Sequence, residues 1–410
     1  MCQSVSQPDR PYQRASGDHD ARQAPVPDQQ ASLPGQIRGL HPALVTTMPT
    51  IRELFPDDWP AVQAMAQRSF PAPQGKFIRP TEEGTLALVD DTPAAAALLR
   101  TFPLRDGRRV GYIAWLFTDP AFQSQGLAKR LIAASVARLE DLGCRHILTD
   151  IEGHNTASAF SFVGNGFRRI GFADQWRIIG PSNLPRLWLR TVDPGHFIWM
   201  RDVNPALPRP DLQRLSTWGI NWLFALTATL FGTSLLSFIS LNRPSGTDAL
   251  ALLLGVVLVF GFREAAMRMT AKAKGWPLEY RIWDSAFIFA LPVAVLFGKL
   301  FPLPGGLYPR QDRWRYPDAL PALGLAAVAG TISVMALVAL SLVVSRMQVQ
   351  GFMQALASAV LFIGKPLLLF DSILAFPPFS CFNARRIFDL HRGLWAGFAV
   401  LGAILFLWRI

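Results

Sequence analysis

The hexapeptide Gln123-Ser124-Gln125-Gly126-Leu127-Ala128 has the residue types of an anion-binding turn. A glycine that opens a helix leaves backbone N–H groups without intrahelical partners and points the positive end of the helix dipole outward, which suits a phosphate. The spacing fits neither a dinucleotide fingerprint nor a Walker loop. On these six residues alone, a tight strand-to-helix turn that needs Gly126 only for its backbone is the simpler reading.

The flanking segments give the turn its setting. Val110–Phe117 (VGYIAWLF) is rich in β-branched and aromatic residues and predicts a strand. Lys129–Leu142 places Leu131, Ile132, Ala134, Ser135, Val136, Leu139 and Leu142 near one helical face. Strand, glycine turn and helix together form a cradle for a diphosphate. A further strand, Arg145–Glu152, follows, and then Asn155, Phe162, Gly166 and Phe167.

With these residues in register, roughly residues 46–202 resemble the GNAT acyl-CoA N-acyltransferases. The loop of that family reads Gln/Arg-x-x-Gly-x-Gly/Ala, and Gln123, Gly126 and Ala128 fill its places. Asn155, Gly166 and Phe167 fall where the family has an Asn-led helix ending in Gly-Phe. The resemblance implies an α/β fold with a mixed, mainly antiparallel central sheet flanked by helices, and acetyl-CoA as acyl donor. It implies that Gln123, Gln125, Gly126, Leu127, Ala128 and Lys129 hold the diphosphate, with Lys129 and Arg130 adding charge. The strand ending at Leu116 and Phe117 would pair with the pantetheine amides, and Asn155 would contact the pantetheine arm or fix the loop. Many members carry a tyrosine that protonates the leaving thiolate, whereas this chain has Phe162, which has no proton to give. Catalysis then leans on holding amine and thioester together. The catalytic residue stays open: Asp119, Glu152 and His154 are candidates by location only. Trp115, Phe117, Trp176 and Trp199 would line an apolar acceptor groove, or else pack in the core.

Upstream, Ile51–Leu54 reads as a strand, Phe55–Phe70 as a helix started by Pro56-Asp57-Asp58, and Thr85–Val89 and Ala94–Phe102 as two strands across a turn. Downstream, Arg168–Ile179 and His196–Val203 read as strands, with Arg186–Arg190 as a possible third. Residues 1–45 are polar and without apolar periodicity, which predicts disorder, and no apolar run behind basic residues predicts a cleavable signal. Three scattered cysteines, Cys2, Cys144 and Cys381, form neither a disulfide framework nor a metal cluster.

The net charge of +11 raises the question of nucleic acid. The basic residues, however, are spread out and border apolar segments, which points to membrane lipid and against nucleic acid. After a Pro-rich linker at 203–216, the apolar runs 217–241, 247–262, 319–345, 351–374 and 393–408 predict an all-α polytopic membrane domain over 217–410. Its motifs resemble the intramembrane zinc metalloproteases of the site-two protease family. Arg263-Glu264-Ala265-Ala266-Met267 stands where that family has His-Glu-x-x-His. Glu279-Tyr280-Arg281-Ile282-Trp283, Pro304-Gly305-Gly306-Leu307-Tyr308, Asp371 and Pro377-Pro378-Phe379-Ser380-Cys381 echo its later motifs. An arginine cannot ligate zinc and methionine ligates it poorly, so no metal and no protease activity are expected. Glu264 is expected to pair with Arg263 or Arg268.

Acetyl-CoA as the donor that the resemblance implies puts the N-terminus and the acyltransferase-like domain in the cytosol, and from there charge placement predicts five spans plus a re-entrant segment at 286–303, with the C-terminus outside the inner membrane. The function expected is a membrane-tethered N-acyltransferase acting on an amine at the inner membrane face. The alternative is a non-catalytic scaffold or sensor that binds coenzyme A and a client.

Overall fold

The computed structural model describes residues 49–70, 74–191, 195–202, 246–283, 305–310, 314–347, 349–376 and 379–408. The expectations for residues 1–45, the linker, the run 217–241 and the segment 286–303 lie outside the described residues.

A seven-stranded sheet in the order β1-β2-β3-β4-β5-β7-β6 organises the first half. Its strands are β1 (Thr50–Glu53), β2 (Glu83–Val89), β3 (Thr92–Pro103), β4 (Arg109–Thr118), β5 (His146–Glu152), β6 (Phe167–Arg169) and β7 (His196–Asp202). Every pairing is antiparallel except β4 with β5. Asp90 and Asp91 both take positive φ in the β2–β3 turn, as a two-residue hairpin matched to strand twist requires.

Helix α1 (Trp59–Ser69) buries Val62, Met65, Ala66 and Ser69, an i, i+3, i+4, i+7 stripe, on one face of the sheet. Helix α2 (Leu127–Asp141) covers the opposite face through Leu127, Leu131, Ile132, Val136 and Leu139. It sits so close that a Cβ on Gly111 of β4 would lie 3.0 Å from Leu139 side-chain carbons. Helix α3 (Thr156–Val163) follows β5 on that same side.

Two predicted strands are helices. Residues 168–179 contain the short β6 and then α4 (Phe172–Ile178), and residues 186–190 belong to α5 (Leu184–Arg190). The apolar spacing there is helical: Leu184 and Leu187 are both buried against Ile179 and the β4–β5–β7 face. The Gln175 side chain also ties α4 to Ile170 O and to Trp188 Nε1 of α5.

The second half is helical with a two-stranded sheet inside it. Its helices are α6 (Gly246–Ala273), α7 (Tyr316–Arg346), α8 (Phe352–Leu368, continued by a π turn to Ile373), α9 (Asn383–Leu390) and α10 (Arg392–Leu407). Three apolar stretches, Leu250–Ala273, Tyr316–Arg346 and Phe352–Ile373, are long and apolar enough to cross a membrane, and Arg392–Leu407 is a shorter apolar helix. Small residues bring the long helices together: Gly364 of α8 meets Val338 of α7, and Gly255 of α6 meets Ala359 of α8. Leu254, Val257, Ile332, Leu340 and Val343 face outward and exposed. Strands β8 (Leu278–Ile282) and β9 (Gly305–Pro309) pair antiparallel, with Ile282 opposite Gly305.

The two halves share a seam. Phe197 of β7 joins a buried cluster with Met267 and Ala271 of α6, Tyr280 of β8, Leu307 and Tyr308 of β9, Leu323 of α7, and Phe382. Gly153 and Gly195 make the approach possible, since a Cβ there would lie 2.4 Å from Tyr308 Cε1 and from Cys381 Cβ respectively.

Candidate functional site

The turn before α2 is built for backbone donors. Ser124 and Gly126 both have positive φ, and Gly126 is the N-cap of a helix whose end receives no side-chain cap. The helical ladder starts only at Arg130 N, which donates to Gly126 O at 3.3 Å, so the amides of Leu127, Ala128 and Lys129 precede it. No atom lies within 4 Å of the place a Gly126 Cβ would occupy. Residues 124–126, Lys129 and Arg130 are exposed. This open, amide-lined and basic end fits a diphosphate.

Beside the turn, the sheet opens. Parallel β4 and β5 pair only at Val110–Tyr112 and His146–Leu148. Past that point β4 continues to Thr118 on its β3 side, while β5 continues to Glu152 on its β7 side. The register with β3 slips between Leu98 and Leu99, so that Ala114 is the extra residue of a bulge on β4. A bulge bends and twists its strand, which here turns β4 away from β5. The Ile113–Thr118 backbone therefore offers a strand edge to an extended ligand in the gap, and Thr149 Oγ1 bonds Ile113 O at 3.0 Å near its closed end.

The expected site residues fall around this gap in different roles. Leu116 and Phe117 are buried on opposite faces of β4, in the clusters beneath α2 and α1. Asn155 caps α3, its side chain accepting from Ser158 N at 3.1 Å. Phe162 is fully buried, edge-to-face on Phe167 at 5.0 Å. Asp119 accepts from Arg68 Nε and Nη2 at 2.9 and 2.6 Å and from Ala121 N at 3.0 Å, clamping α1 to the end of β4. Trp115 and Phe117 both pack on Phe70, Trp199 packs beneath α2, and Trp176 is exposed, so these four rings are not gathered into one groove.

Glu152 and His154 lie at the seam. Glu152 accepts from Ser380 Oγ at 2.7 Å, and Thr156 Oγ1 accepts from Tyr316 N at 3.1 Å. The His154 ring lies 5.6 Å from the Tyr308 ring and 4.8 Å from the Tyr316 ring, and its Nε2 accepts from Arg386 Nε at 3.2 Å. Burial, together with Arg386 and Arg385, pushes its pKa well below the ordinary histidine value, so the ring is neutral.

One constellation escaped the sequence reading. Asp150, in the middle of β5, accepts from the Tyr112 hydroxyl of β4, and its other oxygen lies 2.8 Å from His196 Nδ1 of β7. Burial raises the Asp150 pKa, and the bonds from His196 and Tyr112 act against it, lowering it. All three residues are buried. The available signal was an aspartate in the strand HILTDIE, on the same alternating face as Leu148.

In the second half, Arg263 donates from Nε to Asp371 Oδ2 at 2.5 Å and from Nη2 to Oδ1 at 2.8 Å. Asn383 adds bonds to both oxygens, and its side-chain nitrogen lies 3.6 Å from Met267 Sδ. Arg263 thus pairs with Asp371, while Glu264 lies 3.5 Å from Arg268, one of the two partners expected. A guanidinium fills the center of this cluster and the carboxylate is taken up by hydrogen bonds, so the donor set does not fit zinc.

Residues 48–167 match the acetyltransferase (GNAT) family. Part of the chain also aligns with several solved structures. One is N-acetylglutamate synthase from Neisseria gonorrhoeae complexed with coenzyme A and N-acetyl-glutamate, at 20% identity and TM-score 0.30, covering 38% of this chain and 36% of that one. Another is the ribosomal-protein-S18-alanine N-acetyltransferase from Escherichia coli, at 19% identity and TM-score 0.28, covering 41% and 100%. A third is the PaiA N-acetyltransferase from Thermoplasma acidophilum in complex with coenzyme A, at 12% identity and TM-score 0.28, covering 38% and 98%. The chain spans about a third of the synthase's length. No curated protein matches the chain.

Proposed function

We propose that the protein is a membrane-tethered N-acyltransferase that moves an acyl group, acetyl in the simplest case, from acyl-CoA to an amine at the inner membrane face. The observation that carries this reading is the opening of β4 from β5 directly beside the uncapped end of α2. Acyl-CoA supplies an activated thioester. The amides of Leu127, Ala128 and Lys129 bind its diphosphate, Lys129 and Arg130 add charge, and the edge of β4 through Leu116 and Phe117 aligns the pantetheine arm. Gln123 and Gln125 join the diphosphate contacts, and Asn155 fixes the start of α3.

The apolar second half anchors the catalytic domain and brings the acceptor to it. The seam at Glu152, His154 and Thr156 lies at the open end of β5, where an amine would enter. Ile282, the end of β8, pairs opposite Gly305, the start of β9, and this supports reading 286–303 as re-entrant rather than crossing. Arg385 and Arg386 on α9 lie at the same level as the GNAT domain, which supports its cytosolic side as the basic side. The approach of Arg263 and Met267 to Asp371 and Asn383 supports descent from a site-two-protease-like scaffold whose metal centre has become an ion pair.

Thiol release from acetyl-CoA by the full-length protein, measured with a panel of primary amines, tests the proposal. Amine-dependent release is expected. Coenzyme A binding with no release on any amine would favour the scaffold or sensor reading, for which the buried Phe162, lacking a hydroxyl, is the specific argument.

A further inference from the structure

We propose that α3 couples the two halves: the second half, clamped on the β5–α3 connection, holds α3 in place, and α3 pre-organises the start of α2 for acyl-CoA. Acyl-CoA occupancy and the docking of the second half then strengthen each other, with Thr156 and Asn165 as the positioning residues. The inference rests on the acyl-transfer reading above in taking the start of α2 as the nucleotide site.

Three alternate residues form the clamp, each bonded to a different part of the second half. Glu152 accepts from Ser380 Oγ at 2.7 Å, His154 Nε2 accepts from Arg386 Nε of α9 at 3.2 Å, and Thr156 Oγ1 accepts from Tyr316 N at 3.1 Å. Tyr316 opens α7, one of the three long apolar stretches. The first amides of a helix have no intrahelical acceptor, and here a side chain of the first half supplies one. At the other end of α3, Asn165 donates from Nδ2 to Lys129 O at 3.1 Å and to Ser161 O at 2.9 Å. Lys129 lies in the first turn of α2, and its Cε is 3.5 Å from the place a Gly164 Cβ would occupy. One short helix thus meets α7 at its first residue and the start of α2 just past its last.

That helix has little stability of its own. It is eight residues long, whereas an isolated helix in water is marginal below about 12–15. Only Ser158 and Phe162 of α3 are buried, while Phe160 and Val163 are 41% and 36% exposed. Its order is therefore borrowed from its two ends, and loosening either end raises the population in which it opens. Opening releases Asn165 from Lys129 O and leaves the first turn of α2 to fray. A diphosphate that needs the amides of Leu127, Ala128 and Lys129 aligned must then offset the cost of ordering them on binding. With α3 fixed, that ordering is already in place. Linkage makes the effect reciprocal: a nucleotide that holds the start of α2 also holds α3, and with it the Thr156 hydroxyl on Tyr316 N.

The test uses the full-length protein in detergent, titrated calorimetrically with coenzyme A and followed by amide hydrogen exchange. Asn165→Ala should weaken coenzyme A binding by roughly fivefold, and Thr156→Val by roughly threefold. The double variant should bind within about twofold of Asn165→Ala alone, because both substitutions break the same link. In the wild type, saturating coenzyme A should slow exchange at the Thr156 amide, which donates to His154 O, and at the Tyr316 amide, which donates to Thr156 Oγ1. Asn165→Ala should abolish that slowing even at saturation, a readout that a merely structural role for Asn165 would not move. A folded Thr156→Val protein with wild-type affinity, or multiplicative losses in the double variant, overturns the proposal. Should a variant not fold, the wild type decides: coenzyme A that binds without slowing exchange at Thr156 and Tyr316 overturns the coupling and leaves the acyl-transfer reading standing. Coenzyme A that does not bind sinks that reading, and the coupling with it.

Discussion

At position 162, where the resemblance to the GNAT family implies a hydroxyl near the leaving thiolate, the chain has phenylalanine, and its packing opposes adding a hydroxyl there. The Phe162 ring is fully buried and edge-on to Phe167, with Leu131 and Ile132 of α2 in the same apolar cluster. Phe162→Tyr would bury an O–H among apolar side chains, costing about 1–3 kcal/mol where it finds no partner. We expect a lower melting temperature and no gain in thiol release. A faster variant of unchanged stability would contradict this. The sequence made position 162 legible because a missing hydroxyl is a difference in type. It left Asp150 and His196 illegible because they lie 46 residues apart in the chain and meet only when β7 pairs with β5. Asp119, Glu152 and His154 were visible as types, but their roles were not: a clamp on Arg68, a seam bond to Ser380, and a neutral ring between two tyrosines.

Strands with alternating or continuous apolar character, β1 to β5 and β7, were readable to within a few residues, as was α2. Elements that borrow their stability from contacts were not. Helices α4 and α5 are seven residues each, too short for a clear apolar period, and are held by Asn183, Gln175 and the β4–β5–β7 face. The gap itself had no signature, since the bulge at Ala114 is a matter of register rather than composition. At this scale the β2–β3 hairpin gives a clean test. Asp91 holds φ +59° in a two-residue turn, a conformation that suits glycine better. Asp91→Gly should stabilise the protein by about 1 kcal/mol, seen as a raised denaturation midpoint at unchanged slope. A lowered midpoint would show that Asp91 makes a contribution beyond its backbone.

Across the whole molecule, the seam makes two halves of different character one object, and its chemistry predicts a pH response. His154 is neutral where it accepts from Arg386, and its pKa is pushed well below the ordinary value by burial and by Arg386 and Arg385. Above about pH 6.5 the ring is neutral in folded and unfolded chains alike and contributes nothing to pH dependence. Below that value the unfolded chain takes up a proton that the folded one refuses, so stability falls as pH falls. The denaturation midpoint of the wild type should drop between pH 7.5 and 5.5, and His154→Gln should lose that part of the drop. Equal pH dependence in the two proteins would place the titration elsewhere. The apolar runs marked out a second half of long apolar helices from composition alone, yet its docking on β5 and β7 depends on Gly153 and Gly195 meeting Tyr308 and Cys381, contacts no local pattern encodes.

The proposed reaction presupposes that the end of α2 grips a nucleotide thioester. Calorimetric titration of coenzyme A into the full-length protein reads this directly. The account predicts one-to-one binding in the micromolar range, weakened at least about tenfold by Gly126→Trp, which fills the open space before the helix and strains a positive-φ backbone. No binding at millimolar coenzyme A, or affinity indifferent to that substitution, would contradict it.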